Sequence, residues 1–135
     1  FDESELVRQY RDAAIFAYPS LAERGETFGL AILEAMASGC APIVSSLGCF
    51  KDFVRDGHNG VIFDHHAADP VAALAVALQE LATSTEKRQR LRTAAASTAR
   101  AYALPEIAGK FVADFRSIVE PPPVAGSYDQ VCLHD

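Results

Sequence analysis

Residues 26–44 have the sequence ETFGLAILEAMASGCAPIV, and this stretch decides the fold. From Thr27 to Ser38 it is apolar or small almost throughout, with Thr27 as a candidate N-cap and Gly39 as a stop signal, which predicts a helix. Pro42–Ser46 follows as a short apolar run, with the proline at the first position, where a strand tolerates it. The stretch therefore predicts a helix followed closely by a buried strand.

The flanking sequence extends this alternation in both directions. Ala13–Tyr18 is an apolar run ended by Pro19, and Val61–Phe63 is a shorter run after two glycine turns, so both are predicted strands. Further helices are predicted over 3–12, from Asp69-Pro70 with an apolar stripe of Val71, Leu74, Leu78 and Leu81, over 86–101, and from Pro105 with Ile107, Phe111, Phe115 and Ile118 on one face. Alternating strands and helices predict an α/β fold with a parallel sheet.

Composition excludes several classes of function. The net charge is −6 and no basic block is present, which argues against nucleic acid as a partner. No run of 18 apolar residues exists, so no transmembrane segment is predicted. Three cysteines without a CxxC pair indicate a reducing compartment, and we expect a cytoplasmic protein.

Glu34 is the only charged residue of the central predicted helix. At about 100° per residue it falls beside Ala31, Ala35 and Ser38, away from the broad apolar face. In one interpretation, protein covers one face of the helix and a ligand covers the other, with Glu34 accepting hydrogen bonds from the hydroxyls of a bound ribose. The other places Glu34 on an exposed, alanine-rich face, paired with an arginine or lysine.

Glu26 lies in the loop between the first strand and the central helix. Ligands of open α/β sheets bind at the carboxyl ends of strands, and the loop with Gly48 leaves the same edge. The predicted helix start adds free N–H groups at Thr27–Leu30, and Gly29 permits close approach to the backbone. Eight residues of helix span about 12 Å, so Glu26 and Glu34 would hold two ends of an extended ligand.

The segment from Glu26 to Val44 resembles the E-x7-E motif of the GT-B-fold glycosyltransferases of family 4, also called group 1. The resemblance continues through Gly48, the Asp52–Gly60 turn and Val61–Phe63, and more weakly through Leu104–Ile118. It implies that residues 1–119 form a Rossmann-like, nucleotide-sugar-binding domain, incomplete at its N-terminal side. Residues 120–135, which open with three prolines, are expected to be an irregular tail.

The family implies the donor-binding part of a retaining enzyme that transfers a sugar from a nucleotide-diphosphate sugar. Glu26 then lies by the transferred sugar, Glu34 binds the ribose, and backbone amides at Phe28, Gly29 and Leu30 approach sugar and phosphates. No cofactor is implied. The acceptor domain and an Arg/Lys pair would lie upstream in the same protein, so this part alone is expected to be inactive. A peripheral membrane association through that upstream part is the alternative to a purely cytoplasmic enzyme.

The sequence departs from the family where Gly-Gly-x-x-Glu is common: here Gly48 is followed by Cys49, and Asp52 stands in place of the glutamate. Two other classes of function stay open, namely another GT-B enzyme such as a nucleotide-sugar epimerase, and a non-catalytic binding or interaction domain. No metal site is expected, because the adjacent side chains of His65 and His66 should point apart.

Overall fold

The computed structural model describes residues 2–119, and the predicted tail over 120–135 lies outside this range. The elements are, in chain order, α1 (Glu3–Asp12), β1 (Ile15–Tyr18), α2 (Leu30–Ala37), β2 (Ala41–Ser45), a 3₁₀ helix (Gly48–Asp52), β3 (Val61–Phe63), α3 (Pro70–Thr83), α4 (Thr85–Arg100) and α5 (Leu104–Val119). The chain divides into two compact units, the first ending at Ala103 and the second beginning at Leu104. The predicted domain boundary at residue 119 is not tested by this division.

The three strands form one parallel sheet in the order β1-β2-β3. Tyr18 pairs with Val44 and Val44 with Ile62, so the strands end nearly level with one another. All five residues of the central strand β2 are buried, as expected for a parallel strand covered on both faces. The predicted α/β fold and its parallel sheet are confirmed.

Two apolar clusters cover the two faces of the sheet. Alternate residues of β2 enter different clusters, because strand side chains alternate between faces: Val44 packs with α2 and Phe50, whereas Ile43 packs with α3 and α4. Leu81 and Leu91 complete the second cluster from α3 and α4. The core therefore holds β2 in place, and the loops that follow the strands at the carboxyl edge of the sheet can form a site.

Helix α2 begins later than predicted. Its N-cap is Gly29, in the left-handed conformation with φ of 84°, so Thr27 is not the cap. Thr27 is a strong capping residue type, but packing sets the start of the helix: a Cβ at Gly29 would lie 2.8 Å from Cε1 of Phe50. The free N–H groups of the first turn therefore begin at Leu30.

The apolar stripe predicted for α3 is also only partly correct. Leu81 is fully buried, and Leu74 and Leu78 are half-buried against the same cluster. Val71, however, is 76% exposed, and Ala77 takes a buried position instead. Val71 lies in the first turn of α3, outside the cluster that buries Ala77 and Leu81.

Asn59 holds the turn between the 3₁₀ helix and β3. Its side chain is 1% exposed; its Oδ1 accepts a hydrogen bond from the Arg55 N–H at 2.6 Å, and its Nδ2 donates to the Phe53 carbonyl at 2.8 Å and to Thr98 Oγ1 at 2.9 Å. The last bond ties the turn to α4. The sequence predicted a turn at Asn59-Gly60 but not this link.

We expect Asn59→Ala to lower the free energy of unfolding by about 2 kcal/mol, because three hydrogen-bonding groups lose a buried partner. Urea denaturation followed by circular dichroism measures the change. His58→Ala is the control, since His58 is the exposed neighbour in the same turn. Equal stability of the two variants would contradict a structural role for the Asn59 amide.

Candidate functional site

Glu26 lies at the carboxyl edge of the sheet, as its position after β1 predicted. Its side chain is half-buried, and its Oε2 accepts a hydrogen bond of 2.9 Å from the hydroxyl of Tyr18, the last residue of β1. This bond raises the pKa of Tyr18, and partial burial of the ring and the charge of Glu26 raise it further. Tyr18 therefore keeps its proton, and its hydrogen bond fixes the orientation of the Glu26 carboxylate.

The loop after β2 reaches the same edge. Gly48 opens the 3₁₀ helix and is exposed, with open space where a Cβ would stand. The neighbouring Cys49 is half-buried; burial raises the pKa of its thiol, and the charge of Glu26 raises it further. The two loops lie close together, since the ring of Tyr18, which binds Glu26, packs against that of Phe50 in the 3₁₀ helix with 5.7 Å between centroids. A thiol with a raised pKa stays neutral and is a poor nucleophile.

The side chain of Phe28 packs against the core, whereas the family motif predicts a contact between its backbone amide and the donor. Its ring packs against the rings of Phe53, with 5.2 Å between centroids, and Tyr102, at 5.9 Å. These contacts anchor the end of the β1–α2 loop to the core, while Thr27 before it is exposed. The loop that carries Glu26 is thus held at both ends, by Tyr18 and by Phe28.

Glu34 lies on the outer face of α2 and is exposed. The sequence predicted protein contacts on one face of α2 and a ligand on the other. The protein covers one face, on which Ala35, predicted beside Glu34, is fully buried, but Leu30, predicted on the apolar face, is 63% exposed. The sheet and α4 therefore cover a narrower part of α2 than the apolar pattern suggested, and the cover by a ligand stays a prediction. Within residues 2–119, the Glu34 carboxylate makes no hydrogen bond or ion pair, so the interpretation that pairs it with an arginine or lysine is not supported.

Two shallow grooves meet at Glu34. One, of about 330 Å³, runs between α2 and the end of α4 and is mostly apolar, with Leu30, Arg100 and Tyr102 in its wall. The other, of about 280 Å³, lies between α1 and α2, next to Tyr10. Burial raises the pKa of Tyr10, and the charge of Glu34 raises it further. An acceptor on the ridge between two grooves is accessible to the hydroxyls of a bound ligand.

The loops after all three strands are joined by a polar cluster that the sequence did not predict. His65, which is buried, and His66, which is exposed, both place Nε2 near Oε1 of Glu23, at 2.7 and 2.9 Å. Their ring centroids lie 4.0 Å apart. The expectation that these adjacent side chains point apart is therefore wrong, because the turn after β3 lacks the alternation of an extended strand.

Ser46, just after β2, completes this cluster through a hydrogen bond of 2.8 Å between its Oγ and Nδ1 of His65. The hydrogen bond from His65 lowers the pKa of Glu23, and the charges of the two imidazoles act in the same direction. Glu23, Ser46 and His65 each follow a predicted strand, and the carboxyl ends of these strands were predicted to lie at one edge of the sheet. This position was the signal in the sequence from which the cluster could have been found.

The structure thus brings Glu26, Gly48 and the start of α2 together at one edge, with Glu34 in the second turn of α2. The donor-binding roles of Thr27, Phe28, Gly29, Leu30, Glu34 and Gly48 and the catalytic role of Glu26 stay predictions. Gly29 is buried against Phe50, so its small size serves the packing of α2 whatever else it does. Among residues 2–119 no helix is long and apolar enough to cross a membrane.

Comparison with known proteins places this geometry in context. Residues 1–98 match the family model described as glycosyl transferases group 1. The chain is 33% identical over 116 residues to D-inositol 3-phosphate glycosyltransferase 1 of Catenulispora acidiphila, covering 86% of this chain and 26% of that protein. It is 30% identical over 117 residues to the phosphatidyl-myo-inositol mannosyltransferase of Mycobacterium leprae, covering 87% and 30% of the two proteins.

Solved structures agree with the sequence relatives. The sucrose-phosphate synthase of Thermosynechococcus elongatus superposes with a TM-score of 0.74 at 26% identity, over 87% of this chain and 28% of that one. The chain therefore spans less than a third of the length of each of these proteins. The family and the fold predicted from residues 26–44 are both confirmed.

Proposed function

Because the chain belongs to the group 1 glycosyl transferases, we propose that it forms the donor-binding part of a retaining enzyme that transfers a sugar from a nucleotide-diphosphate sugar to an acceptor. The observation that carries the proposal is the arrangement of two carboxylates. Glu26 is oriented at the sheet edge by Tyr18, and the Glu34 carboxylate is exposed and unpaired among the described residues, at a groove beside the second turn of α2.

The two carboxylates lie on different elements, Glu26 in the β1–α2 loop and Glu34 in α2, which suits a ligand with distinct ends. The donor's ribose has two adjacent hydroxyls, which the free Glu34 carboxylate accepts as hydrogen-bond donors. The diphosphate lies toward the first turn of α2, whose unpaired N–H groups and positive dipole end attract anions. The transferred sugar then lies by Glu26, with the exposed loop at Gly48 along one side.

The transfer chemistry needs no metal in this proposal, and no cofactor beyond the donor substrate. Basic groups elsewhere in the protein neutralise the charge on the leaving diphosphate. The acceptor-binding domain also lies elsewhere in the protein, so residues 1–135 alone are inactive. We further propose a cytoplasmic enzyme. Relatives whose names describe sugar transfer favour a transferase over an epimerase or a non-catalytic domain.

We expect Glu34→Ala to raise the Kd for the nucleoside diphosphate by about 10- to 100-fold, because the ribose hydroxyls lose a charged acceptor. Isothermal titration calorimetry of the full-length protein with UDP, GDP and ADP identifies the preferred base and measures the loss. Glu34→Gln keeps one acceptor oxygen and should show an intermediate value.

Glu86→Ala serves as the matched control, since Glu86 is an exposed carboxylate in the first turn of α4. Its affinity should equal that of the wild type. An unchanged affinity in Glu34→Ala would contradict the proposal that Glu34 binds the ribose. Failure of all three nucleotides to bind the wild type would contradict donor binding altogether.

A further inference from the structure

The cluster of Glu23, His65 and His66 is not used by the proposed transfer reaction. Its ligand atoms, one from each side chain, all lie within 4.8 Å of one another. Glu23 comes from the loop after β1, and the two histidines come from the loop after β3. Three converging ligands from two separate loops are the arrangement that a metal ion can join.

The chemistry of this set is specific. Two imidazole nitrogens and one carboxylate are the protein ligands of many four-coordinate zinc sites, in which the fourth position takes water or substrate. Imidazole favours zinc, copper and nickel over magnesium or calcium, which prefer oxygen ligands. One imidazole is buried and the other two groups are exposed, so the site has a fixed side and an accessible side.

A second observation supports the same interpretation. Metal-bound histidines use their other ring nitrogen in a hydrogen bond that fixes ring orientation and tautomer. His65 has such a bond, 2.8 Å from Nδ1 to Ser46 Oγ, while its Nε2 points toward Glu23. When an ion replaces the Nε2 hydrogen bond to Glu23, His65 carries its proton on Nδ1 and donates it to Ser46, and the Nε2 lone pair binds the ion.

We propose that Glu23, His65 and His66 form a binding site for a divalent transition-metal ion of the zinc type. The ion takes Nε2 of each histidine and a carboxylate oxygen of Glu23, in place of the hydrogen bonds that now join them. It crosslinks the loop that carries Glu26 to the loop after β3, and through Ser46 it reaches the loop after β2. Its role is to fix the carboxyl edge of the sheet.

The test is titration of the full-length protein with Zn²⁺ by calorimetry and with Co²⁺ by visible absorption, without any nucleotide sugar. We expect one ion for each protein molecule, with the strong absorption of four-coordinate Co²⁺. Because His65 is buried, the informative variants are Glu23→Gln and His66→Ala, whose exposed side chains can change without loss of folding. Each should raise the Kd for Zn²⁺ at least ~100-fold, since each removes a direct ligand.

Ser46→Ala should raise the same Kd by about 10-fold, because it removes only the group that orients His65. His58→Ala and His134→Ala are controls for the other two histidines and should bind as the wild type does. No uptake at one equivalent of Zn²⁺, or equal affinity in Glu23→Gln, His66→Ala and wild type, would overturn the proposal. The cluster would then be held together by hydrogen bonds alone. Since no donor is present, this result is independent of the proposed sugar transfer.

Discussion

Glu26→Ala in the full-length enzyme should lower kcat by about 100- to 1,000-fold while changing the affinity for the nucleoside diphosphate by less than about 3-fold. In the proposed arrangement, the carboxylate faces the sugar, on which positive charge develops as the bond to the diphosphate breaks. A charge held in place stabilises that transition state more than the ground state. The nucleotide, bound at Glu34 and α2, loses little when Glu26 is removed.

The Tyr18–Glu26 hydrogen bond supplies a graded variant for the same experiment. Tyr18→Phe keeps the carboxylate but removes the 2.9 Å bond that orients it, so kcat should fall by only about 10-fold. Initial rates over a range of donor concentrations, together with calorimetry of the product nucleotide, separate the two effects. Glu86→Ala again provides the control, with unchanged rates.

Equal losses of kcat and of nucleotide affinity in Glu26→Ala would show that Glu26 is a binding residue only. Wild-type rates in Tyr18→Phe, combined with a large loss in Glu26→Ala, would show that the carboxylate acts without orientation by the phenol. Either result would leave the family assignment intact, because that rests on the match of residues 1–98.

Gly29→Ala should lower the free energy of unfolding by about 2–5 kcal/mol. Two costs add at this position. The backbone is left-handed, with φ of 84°, which costs a non-glycine residue roughly 1–2 kcal/mol. The new Cβ would also lie 2.8 Å from Cε1 of Phe50 and 2.9 Å from Cδ1 of Ile32, and overpacking of a core typically costs about 1–3 kcal/mol.

Gly25→Ala separates the two costs. Gly25 is also left-handed, with φ of 102°, but nothing lies within 4 Å of its would-be Cβ. It should lose only the backbone part, about 1–2 kcal/mol. Urea denaturation of both variants and the wild type measures the difference, and equal destabilisation would show that Phe50 moves aside at no cost.

The predictions that succeeded rest on local patterns with few alternatives. Short apolar runs bounded by glycine and proline are compatible with little other than buried strands, and their alternation with helices allows a parallel sheet. The position of Glu26 followed from the same rule, since a loop after a parallel strand must leave at the carboxyl edge.

The predictions that failed depend on contacts between residues distant in sequence. Thr27 was a sound N-cap by residue type, but the core residue Phe50 lies against Gly29, where α2 begins. Val71 fits the helical stripe, yet it lies outside the apolar cluster that α3 joins and stays exposed. Periodicity identifies which face of a helix is apolar; it does not give the area that the neighbouring element covers.

The amino-acid sequence by itself determined the α/β fold, the order of its elements, the family and the placement of Glu26 at the carboxyl edge of the sheet. These follow from local patterns and from a motif of nineteen consecutive residues, 26–44. Only the tertiary structure decided that Tyr18 orients Glu26, that Glu34 is free and exposed, and that Glu23 meets His65 and His66 across 42 residues of sequence. Side-chain contacts between separate loops depend on the tertiary conformation of those loops, which a local sequence pattern does not encode.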